Sequence, residues 1–256
     1  LTSELPSYMT VRLTAPALAP ADHRPARVVR ALNEIWPGGD LVYEVGARKG
    51  RSTMTSREPD LEEWLASAAG RGKFPLMSTT GDEPLMVSGH NWIVDFKSGE
   101  LPVLSVMCQY PMRPETLAFT NELLAKVGVA LEAHWGEAAS YVTGSRIGTQ
   151  VKPPGSNREG PPGLPPLLVT DDLAGPDVPQ VLGWINYWSA PAVARLDFPA
   201  SDPGRDEEWL SRAHRLPGGA WVVQLTDESL DLDRPDHLER LRLAYERFAA
   251  VGRAAG

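Results

Sequence analysis

The sequence predicts an α+β fold in which helices pack on one or more largely antiparallel sheets. Three observations carry that prediction. Short apolar runs with period-two alternation dominate residues 74–110, separated by glycine-containing breaks. Helical periodicity governs separate stretches near both ends of the chain. The breaks between the apolar runs read as turns of an antiparallel meander.

The elements follow in order. Tyr8 to Leu13 alternates, with Met9, Val11 and Leu13 on one face and Tyr8, Thr10 and Arg12 on the other, which makes a half-buried strand. From Arg24 to Trp36, Val28, Leu32, Ile35 and Trp36 line one helical face, and Pro37-Gly38-Gly39 stops the helix. Leu41 to Val45 is a second strand. Asp60 to Ala69 is a short helix with Leu61, Trp64, Leu65 and Ala68 inward. Phe74–Met77, Leu85–Val87, Trp92–Phe96 and Leu101–Tyr110 then form a meander, with turns expected at Gly81-Asp82, Ser88-Gly89 and Ser98-Gly99. The last of these strands has Val103 and Met107 on one face and Leu104, Val106 and Cys108 on the other, so it is expected to be central and covered on both sides.

Pro114 opens a long helix, where its missing N–H costs nothing. Leu117, Leu124, Leu131 and Trp135 share one side, and Gly136 is the expected stop. Tyr141 to Val151 is assigned as helix. Residues 153–166 hold six prolines and three glycines and exclude regular structure. They are taken as a loop or linker between an amino-terminal α+β subdomain, 1–152, and a carboxy-terminal one, 167–256, within one large domain or two closely packed ones. Beyond the linker come a short strand at Leu167–Val169, a helix from Asp206 to Ala213, a strand at Trp221–Leu225, and a final helix. Asp233 is the expected N-cap of that helix, and Leu238, Leu241, Tyr245 and Phe248 form its stripe.

Composition narrows the function. A formal charge of −8 disfavours nucleic acid and anionic lipid as direct partners, because phosphate contacts need clustered Lys and Arg, and it suits a basic protein. No apolar run approaches the roughly 18–20 residues of a membrane span. Cys108 is the sole cysteine, which excludes an intrachain disulfide and a cysteine metal cluster. With no signal-like start, a reducing, cytoplasmic location is expected.

Catalytic patterns fail one by one. Gly46-Ala47-Arg48-Lys49-Gly50-Arg51-Ser52-Thr53 is one residue short of a phosphate loop and has Arg51 where the lysine belongs. Pro59-Asp60 with Asp95-Phe96-Lys97 has the residue types of a PD…(D/E)xK nuclease, in which two acids hold Mg²⁺ beside a lysine, but Pro59-Asp60 starts a helix and Lys97 a turn. His23, His90, His134, His214 and His237 form no i,i+4 pair, and Ser88-Gly89-His90 is no nucleophile elbow. His134 is assigned to a helix C-terminus, as a favourable charge or a packed ring. Cys108 is read as an inert core residue. No catalytic residue, metal ligand or cofactor is assigned, and the expectation is a protein that is not an enzyme.

Two features remain. Leu182-Gly183-Trp184-Ile185-Asn186-Tyr187-Trp188-Ser189 gathers three large aromatics, either as buried anchors or as a contact surface. Acidic residues gather around it: Asp171, Asp172 and Asp177 before, then Asp206-Glu207-Glu208, Asp227-Glu228, Asp231 and Asp233. Helix capping accounts for Asp206 and Asp233; a negative surface facing a basic partner is the alternative for the rest. The partner-binding candidates are Asp171, Asp172, Asp177, Trp184, Tyr187, Trp188, Glu207 and Glu208.

The carboxy-terminal half resembles an immunity-protein family of bacterial polymorphic toxin systems, immunity-protein family 52, and its close relatives. The residues that carry the resemblance are Val178-Pro179-Gln180-Val181 leading into the octapeptide, then Leu230-Asp231-Leu232-Asp233, Leu238 and Ala244-Tyr245-Glu246-Arg247-Phe248. The strand-plus-helix start is similar in kind. The resemblance implies an α+β protein that binds a cognate toxin, often a nuclease with a restriction-endonuclease-like fold, and blocks it sterically. Shared residues in such a family are expected to be scaffold, since partner specificity belongs on variable surfaces.

Overall fold

A computed structural model describes residues 7–37, 39–47, 50–55, 61–80, 84–153, 155, 157 and 159–253, with backbone alone at 43–47, 50–55 and 203. The chain is α+β. Among the described residues ten strands form one sheet: β1 (Tyr8–Pro16), β2 (Leu41–Ala47), β3 (Gly50–Thr55), β4 (Lys73–Thr79), β5 (Met86–Phe96), β6 (Gly99–Pro111), β7 (Trp135–Ser140), β8 (Ile185–Trp188), β9 (Ala213–Arg215) and β10 (Trp221–Gln224). Their order is β3-β2-β4-β5-β6-β1-β7-β8-β10-β9, with every ladder between them antiparallel. The described residues form eight α-helices: α1 (Arg24–Ile35), α2 (Leu61–Ala69), α3 (Pro114–Leu117), α4 (Thr120–Leu131), α5 (Tyr141–Gly148), α6 (Ala190–Leu196), α7 (Glu207–Leu210) and α8 (Pro235–Arg247).

Strand β1 organises the sheet because it pairs with β6 on one side and β7 on the other. Its Met9, Val11, Leu13 and Ala15 are buried, and with Leu104, Val106 and Cys108 of β6 they meet Val28 and Leu32 of α1 and Leu124 and Val127 of α4 in one core. That core continues past residues 153–166 into Ile185, Trp188, Leu241 and Phe248, and β7 pairs directly with β8. Among the described residues, 153–166 hold no helix or strand. On the opposite face α8 lies over the octapeptide: Trp188 meets Phe248 edge-on at 4.8 Å, and Tyr245 Oη accepts from Leu182 N–H at 3.1 Å.

Several expectations change. Ser88-Gly89 is no turn; β5 runs through it. A Cβ on Gly89 would come within 2.6 Å of the Ser105 carbonyl oxygen on β6, so the glycine serves a close strand approach beside the bulge between Phe74 and Met77 of β4. The helix opened by Pro114 breaks after Leu117, restarts at Thr120 and ends at Leu131, where Glu132 takes a left-handed φ of 54°; Trp135 and Gly136 begin β7. Trp209 is buried on α7, which stops at Leu210 and leaves Ala213 to the edge strand β9, and Leu167 makes only an isolated parallel bridge to Val151. Neither proposed cap functions as one. Arg234 precedes α8 in place of Asp233, whose carboxylate accepts from Arg146 at 2.8 Å; Asp206 precedes α7, but its carboxylate turns to Arg247.

Gly183 shows how tightly the octapeptide is fixed. A Cβ there would sit 2.6 Å from the Ala138 carbonyl oxygen and 2.8 Å from Glu137 Oε2. Gly183→Ala is therefore expected to lower the unfolding free energy by about 1–3 kcal/mol through overpacking, measured by urea unfolding. An unchanged midpoint would mean that the β7–β8 contact relaxes freely.

Candidate functional site

Sheet register brings a charged pair to the face opposite α1 and α4. Arg12 on β1 lies across from Glu137 on β7, and Glu137 lies across from Asn186 on β8. Such cross-strand neighbours hold their Cβ atoms about 4.5–5.5 Å apart, so the pairing is fixed by the ladders. Arg12 Nη1 donates to Glu137 Oε1 at 3.3 Å. The two ends differ in exposure: the Arg12 side chain is 43% exposed and that of Glu137 only 3%. Burial pushes the Glu137 carboxyl above the usual carboxylate range, and Arg12 draws it back only in part.

Helix α5 closes over this pair. Ser140 Oγ accepts from Thr143 N–H at 3.1 Å and caps the helix, and Gly144 faces Arg12, where a Cβ would lie in ordinary contact 3.7 Å from Nη1. On the other side Leu173 and Val178 pack on Val94, Phe96 and Val103, which draws the 168–178 segment over the β5–β6 hairpin; Lys97 N–H donates to the Leu173 carbonyl at 3.0 Å. Between the two lies a cleft of about 250 Å³. Trp92, Trp135, Val103, Ile147 and Val181 give it apolar walls, and among the described residues Arg12 and Glu137 are its only charged lining. Trp92 is nearly half exposed at its rim. Among the described residues no group of three or more His, Cys, Asp and Glu is placed to hold a metal ion, and no helix is long and apolar enough to cross a membrane. The arrangement fits recognition of an apolar group with a polar head.

The residues singled out from sequence lie elsewhere or are engaged elsewhere. Trp184, Tyr187 and Trp188 are buried. Trp184 Nε1 donates to the Thr226 carbonyl at 2.8 Å, the Tyr187 ring lies against Gly128 of α4, and burial pushes the Tyr187 phenol up to about 12. Asp177 is half-buried and bonded to His134 Nδ1 at 3.0 Å, so that histidine meets a carboxylate just before β7. Asp171 is exposed and Asp172 partly so, in a 3-10 turn whose Thr170 lines the cleft. Glu207 and Glu208 are exposed on α7, and Glu208 is bonded to Arg240, whose guanidinium stacks 3.8 Å over Trp209. The 170–172 turn packs on β5, Asp177 on His134 beside β7, and α7 on β9 and β10 at the far edge of the sheet. The acidic groups do not form one patch.

Of the nuclease-like residues, Asp95 and Lys97 are exposed at the end of the β5–β6 hairpin, while Pro59 and Asp60 lie outside the described residues, as do Arg48 and Lys49 of the glycine-rich segment. Cys108 is fully buried and its thiol is pushed up to about 12 by burial, which makes it inert. Sequence reasoning missed Arg12, Glu137, Trp92 and Trp135. Arg12 reads there as an ordinary solvent-facing strand residue; Glu137, a single charge within Gly136-Glu137-Ala138-Ala139-Ser140, is the one signal available.

A family model described as Domain of unknown function (DUF5953) matches residues 20–255. The chain belongs to that family. The matched residues of this DUF5953 chain take in Glu137, the octapeptide and α8, but begin after Arg12. Among solved structures, the Pseudomonas aeruginosa T6SS protein PA0821 is similar with a TM-score of 0.50 at 11% sequence identity, over 96% of this chain and 73% of that one. At that identity the likeness is one of fold. No curated protein matches the chain.

Proposed function

We propose that this protein binds and sterically neutralises a bacterial toxin, a nuclease effector being the favoured target. The observation that carries the reading is the likeness of fold, over 96% of the chain, to a T6SS protein. The resemblance of the carboxy-terminal half to immunity-protein family 52 and the acidic balance support it. In this reading the protein acts by binding and not by catalysis. Its contact surface is the cleft mouth, where exposed Trp92 and the adjoining Asp171 and Asp172 meet basic residues that the toxin would otherwise turn to phosphates.

Co-expression with the proteins encoded beside its gene tests this. One of them should be lethal alone and harmless with this chain, and the two should elute as a stoichiometric complex. Asp171→Lys with Asp172→Lys is expected to slow association by roughly tenfold at low salt, read by stopped-flow, because rim charges act mainly on the on-rate. No protection by the wild type, or Mg²⁺-dependent DNA cleavage by this chain that disappears in Asp95→Ala, would overturn the reading.

A further inference from the structure

The Arg12 cleft has a chemistry more specific than its shape. Arg12 Nη1 is bonded to Glu137, whereas Nε and Nη2, the side-on edge of the guanidinium, make no hydrogen bond with any described residue. The hydroxyls of Thr14 and Ser105, neighbours across the β1–β6 ladder, also line the cleft and are likewise unengaged among the described residues. A guanidinium with one end tied to a buried carboxylate is held in place, and its remaining N–H pair matches the two oxygens of a carboxylate.

We propose that this cleft binds a compact apolar group bearing one carboxylate, with the carboxylate on the free edge of Arg12 and the apolar body between Trp92, Trp135, Ile147 and Val181. Size and charge select this class. Cavities of about 150 Å³ accept benzene, so the observed volume of about 250 Å³ suits one ring with a short chain. A cation would have to displace Arg12 to reach Glu137, which is 3% exposed behind it. A phosphate dianion would meet one guanidinium already half neutralised by Glu137. The same chemistry is available from a free carboxylic acid or from the carboxylate terminus of another chain. Carboxylate binding here follows from the cleft's own lining and holds whether or not its mouth also meets a toxin.

Isothermal titration and ¹H–¹⁵N spectra of the full chain with 3-phenylpropionate and with its amide test the proposal. The acid is expected to bind at least tenfold tighter than the amide and to shift the indole signals of Trp92 and Trp135. Arg12→Gln combined with Glu137→Gln, which leaves no unpaired buried charge, should weaken the acid at least tenfold while keeping a folded spectrum. If the variant is unfolded, the acid–amide comparison on the wild type decides alone. A hexapeptide ending in a phenylalanine carboxylate, set against its amidated form, separates the sources: peptide binding without free-acid binding assigns the site to a chain terminus. Equal binding of acid and amide, binding of neither the free acid nor the peptide acid, or undiminished binding by the folded double variant would overturn the proposal.

Discussion

Arg247→Met is expected to lower the unfolding free energy by about 3–5 kcal/mol at neutral pH. Arg247 and Asp206 form a buried pair, 7% and 0% exposed at their side chains. The carboxylate receives Arg247 Nε and Nη2, the latter at 2.6 Å, and the Ala200 N–H at 2.6 Å. Arg247 also donates to the carbonyls of Leu196 and Asp197, so the end of α8 is fastened to the segment between α6 and α7. Removing the arginine strands a carboxylate that water does not reach. Asp206→Asn added to Arg247→Met should recover part of the loss, because the stranded charge is gone while an acceptor for Ala200 remains.

The pH dependence has a definite sign. Burial pushes the Asp206 carboxyl up, but the hydrogen bonds from Arg247 and Ala200 outweigh it and hold the group below the usual range. A depressed folded value gives stability that is fully present above about pH 3.9, the unfolded value, and is lost as pH falls through the folded one. The gap between wild type and Arg247→Met should therefore be widest near pH 7 and narrow below about pH 4. Urea midpoints across that range check it. A gap that is constant with pH, or that never exceeds about 1 kcal/mol, would place the stability of this corner in packing alone.

How far the sequence shows this depends on where the cause of each element lies. β1, α1, α2, β10 and α8 carry their own periodicity and end near legible signals, so they stand within a few residues of expectation. β7 does not. Its Gly136, Ala138, Ala139 and Ser140 have weak strand preference, and the element exists because β1 and β8 bond to both its edges. The end of α4 was hidden because Glu132 adopts the left-handed conformation that glycine usually signals, so apolar spacing carried the helix on to Trp135. Gly89 misled in the opposite sense, since a glycine that serves close strand approach looks locally like a turn. The cleft was illegible for a different reason. Arg12 and Glu137 are 125 residues apart, and only the antiparallel register joins them.

Trp188→Ala is the second large effect, with an expected loss of about 3–5 kcal/mol. The side chain is fully buried and meets Phe198 at 5.7 Å and Phe248 at 4.8 Å, both edge-on. The register sets Trp221, Trp188 and Trp135 side by side on one face of the sheet, where Phe248, just past the end of α8, packs on Trp188. Asn186 secures the approach to this row: its Oδ1 accepts from Gly183 N–H at 2.9 Å, and its Nδ2 donates to the Gly183 carbonyl at 3.1 Å. Glycine, tryptophan and asparagine are thus tied to one task, the tight entry into β8. Trp92 gives the contrast. It is nearly half exposed, so Trp92→Ala should shift stability by no more than about 0.5 kcal/mol while impairing whatever engages the cleft. Measuring both variants for stability and for partner binding separates framework from contact. A Trp188→Ala protein that melts like wild type yet no longer binds would return the octapeptide to the binding surface.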